Sequence, residues 1–76
     1  MKERVKEILQ DVRMDIDFDE EKYLVSQGVF ESIDIITLIT ELEDEFCIKI
    51  PTELIVADNF DSIDAIVNLI DKLTLN

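Results

Sequence analysis

The chain has 76 residues, and 7 basic against 19 acidic side chains leave a net charge of −12, with a pI near 4.1. Such a balance repels phosphate polymers and anionic lipid alike, which sets aside nucleic-acid binding and membrane docking. Because 47% of the residues are hydrophobic, the chain is not a disordered acidic tail, and a single small domain over residues 1–76 is expected.

Histidine is absent, and Cys47 is the one cysteine. Ser-His-Asp, Cys-His and zinc constellations are therefore excluded, as is an internal disulfide. The first residues, Met1-Lys-Glu-Arg-Val-Lys-Glu, are charged, and no apolar run approaches the roughly 18 residues needed to cross a bilayer. The expectation is a cytoplasmic monomer with no catalytic residues and no metal site.

In chain order, Val5, Ile8, Leu9 and Val12 fall at i, i+3, i+4 and i+7 and predict an amphipathic helix. Lys2, Arg4, Lys6 and Arg13 sit here against Glu3, Glu7 and Asp11. This segment is slightly positive, so the rest of the molecule carries all of the negative excess. Residues 15–31 lose the helical period and read as a long loop holding Gly28, the only glycine; loops of that length are more often functional than accidental. Asp15-Ile-Asp-Phe-Asp resembles the start of a calcium-binding EF-hand loop. The match fails where Glu20 stands in place of glycine and Ser26 in place of glutamate, which leaves a solvated acidic loop. Phe18, Tyr23, Leu24 and Val29 are its expected anchors in the core.

A second helix is predicted from Ser32, as its N-cap, to about Phe46, with Ile35, Leu38, Ile39, Leu42 and Phe46 facing inward. Glu41, Glu43, Asp44 and Glu45 crowd its C-terminal half, where the helix dipole disfavours anions. Cys47-Ile-Lys-Ile-Pro51 ends it, since proline biases the preceding residue away from the α region. Residues 52–60 can form a short turn or two, with Leu54, Ile55, Val56 and Phe60 contributing to the core. A last helix runs from Asp61 or Ser62 to about Leu73, carrying Ile63, Ile66, Val67, Ile70 and Leu73 inward. No segment alternates with period two. The fold class is therefore all-α, a small four-helix bundle of three long helices and one short one, with the long loop between helices one and two.

Gly28-Val-Phe-Glu-Ser-Ile-Asp34, then Glu41-Leu-Glu-Asp-Glu-Phe46 and Ile48-Lys-Ile-Pro51, resemble the acyl carrier protein family along essentially the whole chain. In that family an Asp-Ser-Leu-type motif opens a long acidic helix, which ends in an acidic-acidic-Phe cluster followed by Ile-Pro. By resemblance, Ser32 carries a covalent 4′-phosphopantetheine arm whose thiol holds acyl groups as thioesters. The resemblance implies a non-catalytic carrier, with a phosphopantetheinyl transferase and acyl- or aminoacyl-loading and acyl-transfer enzymes as partners, in fatty acid, lipid or polyketide-type biosynthesis. A peptidyl or D-alanyl carrier is the alternative, and an unmodified acidic adaptor is a further one. A serine at a helix N-terminus is reachable, and the phosphodiester it gains lies at the positive end of the dipole.

Two positions depart from the family pattern. Glu31 stands where aspartate is usual, one methylene longer, which bears on acceptance by a modifying enzyme. Thr37 stands where carriers of fatty acid synthesis often place a carboxylate. Ser62, in Asp61-Ser-Ile-Asp64, fits the short motif better than Ser32, but no acidic-Phe cluster and no Ile-Pro follow it; capping the last helix suffices for it.

Ile33, Ile36 and Thr40 lie on a stripe offset from the core stripe, and an apolar patch rimmed by carboxylates suits a protein interface. Basic patches on partners are expected to seek Glu31, Asp34, Glu41 and Glu45, in transient and salt-sensitive contacts. With its net charge and small core, the protein should melt at a higher temperature as salt or divalent cations are added. A melting temperature that stays put between low and moderate salt would refute this.

Overall fold

Residues 1–74 are described by a computed structural model, whose elements are α1 (Lys2–Val12), α2 (Ser32–Phe46), a 3-10 turn (Thr52–Leu54), α3 (Ala57–Phe60) and α4 (Ile63–Thr74). Among the described residues there is no strand, so the expected arrangement of three long helices and one short one is the observed one. α1 packs on both α2 and α4, and α3 packs on α4. The core joins Val5, Ile8 and Leu9 of α1, Leu38 and Leu42 of α2, and Ile63, Ile66, Leu69 and Ile70 of α4. Ile35, Ile39 and Phe46 pack against it half-buried. Leu69 was not on the expected stripe. It is buried because α4 is covered by α1 and α3 together, which widens its apolar face.

Helix boundaries follow local chemistry. Glu31, not Ser32, is the N-cap of α2, and Ser32 is its first helical residue. The other end is made by Cys47 in the left-handed region (φ 54°), whose N–H donates to the Glu43 carbonyl. Ile48 N–H donates to the same carbonyl at 3.2 Å, and Ile50 N–H donates to the Glu43 carboxylate at 2.9 Å. Pro51 comes four residues after the end and opens the 3-10 turn instead, so the proline does not itself stop the helix. α4 begins at Ile63, with Ser62 Oγ accepting from Ala65 N–H at 3.2 Å; that is the capping role expected of Ser62.

The loop from 13 to 31 is built from turns around three buried side chains, Phe18, Leu24 and Phe30. The two phenylalanine rings meet edge to face with centroids 5.9 Å apart. Val29 is half-buried as expected, but Tyr23 is 54% exposed. Its carbonyl accepts from Gln27 N–H in a turn that sends Leu24 inward and leaves Tyr23 outside. Ile55 and Val56 are likewise exposed, contrary to expectation. They follow a 3-10 turn too short to present a repeating inner face, so only Leu54 and Phe60 of that stretch contribute.

A buried carboxylate ties the middle of the loop to the segment before α4. Asp61, 8% exposed, accepts from Val25 N–H (2.9 Å), Ser26 N–H (2.8 Å) and Ser26 Oγ–H (2.6 Å). Its carbonyl accepts from Leu24 N–H at 2.9 Å. Burial pushes this carboxyl upward, but the hydrogen bonds from Ser26 and Val25 outweigh it and hold the group below the usual carboxylate range.

The cations of the first segment reach different parts of the acidic remainder. Lys2 pairs with Asp64 of α4, Arg4 with Glu45 at the end of α2, Lys6 with Asp19 in the loop, and Arg13 with Asp34 at the start of α2. α1 is thus a strip of counter-charge against which α2 lies antiparallel. These pairs are mostly solvent-exposed, and each is worth little alone. They leave the net repulsion, and the salt dependence expected from it, in place.

Candidate functional site

The site is assembled from the end of the loop and the first turns of α2. Gly28 takes a left-handed conformation (φ 73°), and its N–H donates to the Val25 carbonyl at 3.0 Å. Phe30 N–H then donates to the Leu24 carbonyl at 2.7 Å while its ring is buried. The backbone is therefore pinned one residue before the exposed pair Glu31 and Ser32. Glu31 and Asp34 form a capping box, in which Glu31 N–H donates to Asp34 Oδ2 at 3.0 Å. Ser32 is the first helical residue of α2, at the positive end of the helix dipole, a setting that favours a negatively charged substituent.

The other candidate residues fall into two groups. Ile33 (63% exposed), Ile36 (61% exposed) and Thr40 lie on the outward face of α2. Thr40 Oγ1 donates to the Ile36 carbonyl at 3.1 Å and Thr37 Oγ1 to the Ile33 carbonyl at 2.9 Å, so both hydroxyls are absorbed within the helix. This stretch of the outward face bears no formal charge. The second group comprises the carboxylates. Glu31 and Glu41 are exposed, whereas Asp34 and Glu45 are held by α1: Arg13 Nη1 lies 2.9 Å from Asp34 and Arg4 Nη2 lies 2.6 Å from Glu45. The Arg4 hydrogen bond holds the Glu45 carboxyl below its usual range. Ser32 and Glu45 are about 20 Å apart along the helix, so a partner touching both must span most of α2.

Ser62, the competing serine, is half-buried and already occupied in capping α4. A scan against family models matches the phosphopantetheine attachment site family over residues 2–70. The chain belongs to that family. No curated protein and no solved structure matches it significantly. The protein is accordingly a non-catalytic carrier whose cofactor is covalently attached 4′-phosphopantetheine. Its partners are, in general terms, a modifying transferase and acyl-handling enzymes. Among the described residues no helix is long and apolar enough to cross a membrane.

Two residues of the carrier's site region escaped the reading of the sequence. Arg13 contacts both sides of the serine turn, and Asp61 anchors the loop that leads to it. The concentration of cations in the first helix was the one available signal for Arg13. For Asp61 there was none, since its partners are 35 and 36 residues away.

Proposed function

We propose that Ser32 is the attachment site and that the arm it bears carries acyl intermediates of fatty acid, lipid or polyketide-type biosynthesis, in a cytoplasmic, monomeric protein. The observation that supports the site best is the contrast between the two motif serines: Ser32 is exposed at the opening of a 15-residue helix, whereas Ser62 is half-buried in a capping bond. When attached, the arm supplies the thiol that holds the acyl group as a thioester. This chain's own residues provide the anchor, the approach and the orientation.

Docking is assigned to Glu31, Ile33, Asp34, Ile36, Thr40, Glu41 and Glu45. The exposed isoleucines supply apolar contact, and Glu31 and Glu41 are the carboxylates open to a basic partner. Asp34 and Glu45 are reached only in competition with Arg13 and Arg4.

The test is intact mass after incubation with coenzyme A and a broad-specificity phosphopantetheinyl transferase, which should add one phosphopantetheine increment. No increment would favour the unmodified adaptor. Loading of the modified form by an amino-acid-activating enzyme, and not by acyl-transferring ones, would reassign the cargo to the aminoacyl class. Because Glu31 is one methylene longer than the usual aspartate, Glu31→Asp should speed modification by a few-fold. The initial rate of coenzyme A consumption measures this, and a slower Glu31→Asp protein would show that the glutamate suits its enzyme better.

A further inference from the structure

Arg13 makes more polar contacts than any other cation in the described chain. Its Nε and Nη2 each donate to the Asp15 carboxylate at 2.9 Å, and its Nη1 donates to the Val29 carbonyl at 3.3 Å and to Asp34 Oδ2 at 2.9 Å. Val29 lies three residues before Ser32, and Asp34 lies two after it. One guanidinium therefore joins the end of α1, the beginning of the loop, the end of the loop and the first turn of α2. The arginine side chain is 30% exposed and the Asp34 side chain 14%, so this pair is partly shielded from water and less weakened by screening than the others, the Arg13–Asp15 pair included. The planar fork is what allows this: its donors diverge to three acceptors at once, a geometry that a lysine ammonium on a flexible stem cannot reproduce.

Resting on the assignment of the arm to Ser32, we infer that Arg13 is a positioning residue for its attachment, splinting the turn on either side of the serine so that the hydroxyl is presented in one conformation. In that step a bond forms between Ser32 Oγ and the β-phosphorus of coenzyme A. The bond from that phosphorus to the leaving adenosine 3′,5′-bisphosphate breaks, and the serine proton passes to a base of the transferase. Arg13 touches none of these atoms. It acts through Asp34 and Val29, and Asp34 in turn accepts from Glu31 N–H. A splint of this kind changes how often the docked serine is correctly aligned, not how well the outward face of α2 is bound. Its loss should lower kcat and spare KM.

The test compares Arg13→Gln and Arg13→Lys with the unsubstituted chain. It uses steady-state phosphopantetheinyl transfer from coenzyme A, and amide hydrogen exchange at Glu31 as a readout independent of any enzyme. Arg13→Gln should lower kcat about tenfold with KM within about twofold, Arg13→Lys should fall between, and Glu31 N–H should exchange faster in the same order. An unchanged kcat in Arg13→Gln overturns the inference. So does a raised one, and so does a KM that falls well beyond twofold, which would mean that the arginine masks Asp34 from the transferase. If Arg13→Gln loses its helical signal, Arg13→Lys decides by the same criteria. If the unsubstituted chain accepts no arm, the assignment of Ser32 fails; unchanged Glu31 exchange in the variants would then overturn the splint on its own.

Discussion

Ser32→Ala should abolish the phosphopantetheine increment completely, while Ser62→Ala should retain it at full stoichiometry. The difference is all or none because attachment needs a hydroxyl at one position, and no neighbouring side chain at the opening of α2 can replace it. Glu31, Ile33 and Asp34 flank Ser32 and none carries a hydroxyl; the threonine hydroxyls at 37 and 40 are bonded within the helix. Ser62→Ala should have its effect elsewhere. It removes the cap of α4, a loss of about 1 kcal/mol, and lowers the melting temperature by several degrees. Intact mass after exhaustive modification, run beside a thermal melt of each variant, separates the two roles. An increment that survives Ser32→Ala and disappears in Ser62→Ala would reverse the assignment, against the burial and bonding of the two residues.

Asp61→Ala should produce a large loss of stability by releasing the loop from the rest of the bundle. The change strands two backbone N–H groups and a hydroxyl that now share one carboxylate. An acceptor of this kind is worth about 2–4 kcal/mol, which corresponds to a fall of about 10–20 °C in melting temperature for a domain of this size. Ser26→Ala removes one of the three bonds and should cost about 1 kcal/mol. The pH dependence has a definite sign. The carboxyl sits below its ordinary value in the folded state, so its contribution is fully present above the unfolded pKa of about 3.9 and is lost as pH falls through the lower folded value. Melts between pH 7 and pH 2 should therefore show a steeper acid decline in the unsubstituted protein than in Asp61→Ala. A melting temperature within a degree or two of the unsubstituted chain at pH 7 would refute the anchoring role. The effect should also reach the opening of α2, because Val25, whose N–H the Asp61 carboxylate accepts, supplies the carbonyl that receives Gly28 N–H in the turn leading to Ser32.

The helices were legible in the sequence because their signal is local. Val5, Ile8, Leu9 and Val12, or Leu38 and Leu42, repeat at the period of the helix wherever the chain later packs. The family was legible for a different reason: the residues around Ser32 and the spacing to Phe46 and Pro51 form a pattern that belongs to it. What escaped notice depends on tertiary neighbours. Tyr23, Ile55 and Val56 are apolar or aromatic residues in turns, and no period says which side of a turn faces inward. Leu69 is buried because two helices, not one, cover α4. The excess of positive charge in the first segment could be counted, but the arginines reach acids 21 and 41 residues away. That pairing is set by the antiparallel docking of α1 on α2. The same docking changes the reading of Asp34 and Glu45, which composition presents as free acids and the fold presents as partners of Arg13 and Arg4.

That pairing bears on how carriers of this kind can be recombined. A chimera that imports α2 alone into another scaffold would bring Asp34 and Glu45 without the arginines that hold them, and would leave Arg4 and Arg13 behind without their acids. The transplant would alter the charge at both ends of the serine-bearing helix even if every residue of that helix were kept. The smallest cassette that keeps these pairs is α1, the loop and α2 together, residues 2–46, provided the receiving scaffold has an aspartate at the position of Asp61 to hold the loop. Its seam then falls at Cys47, where the chain already turns left-handed and the helix has ended.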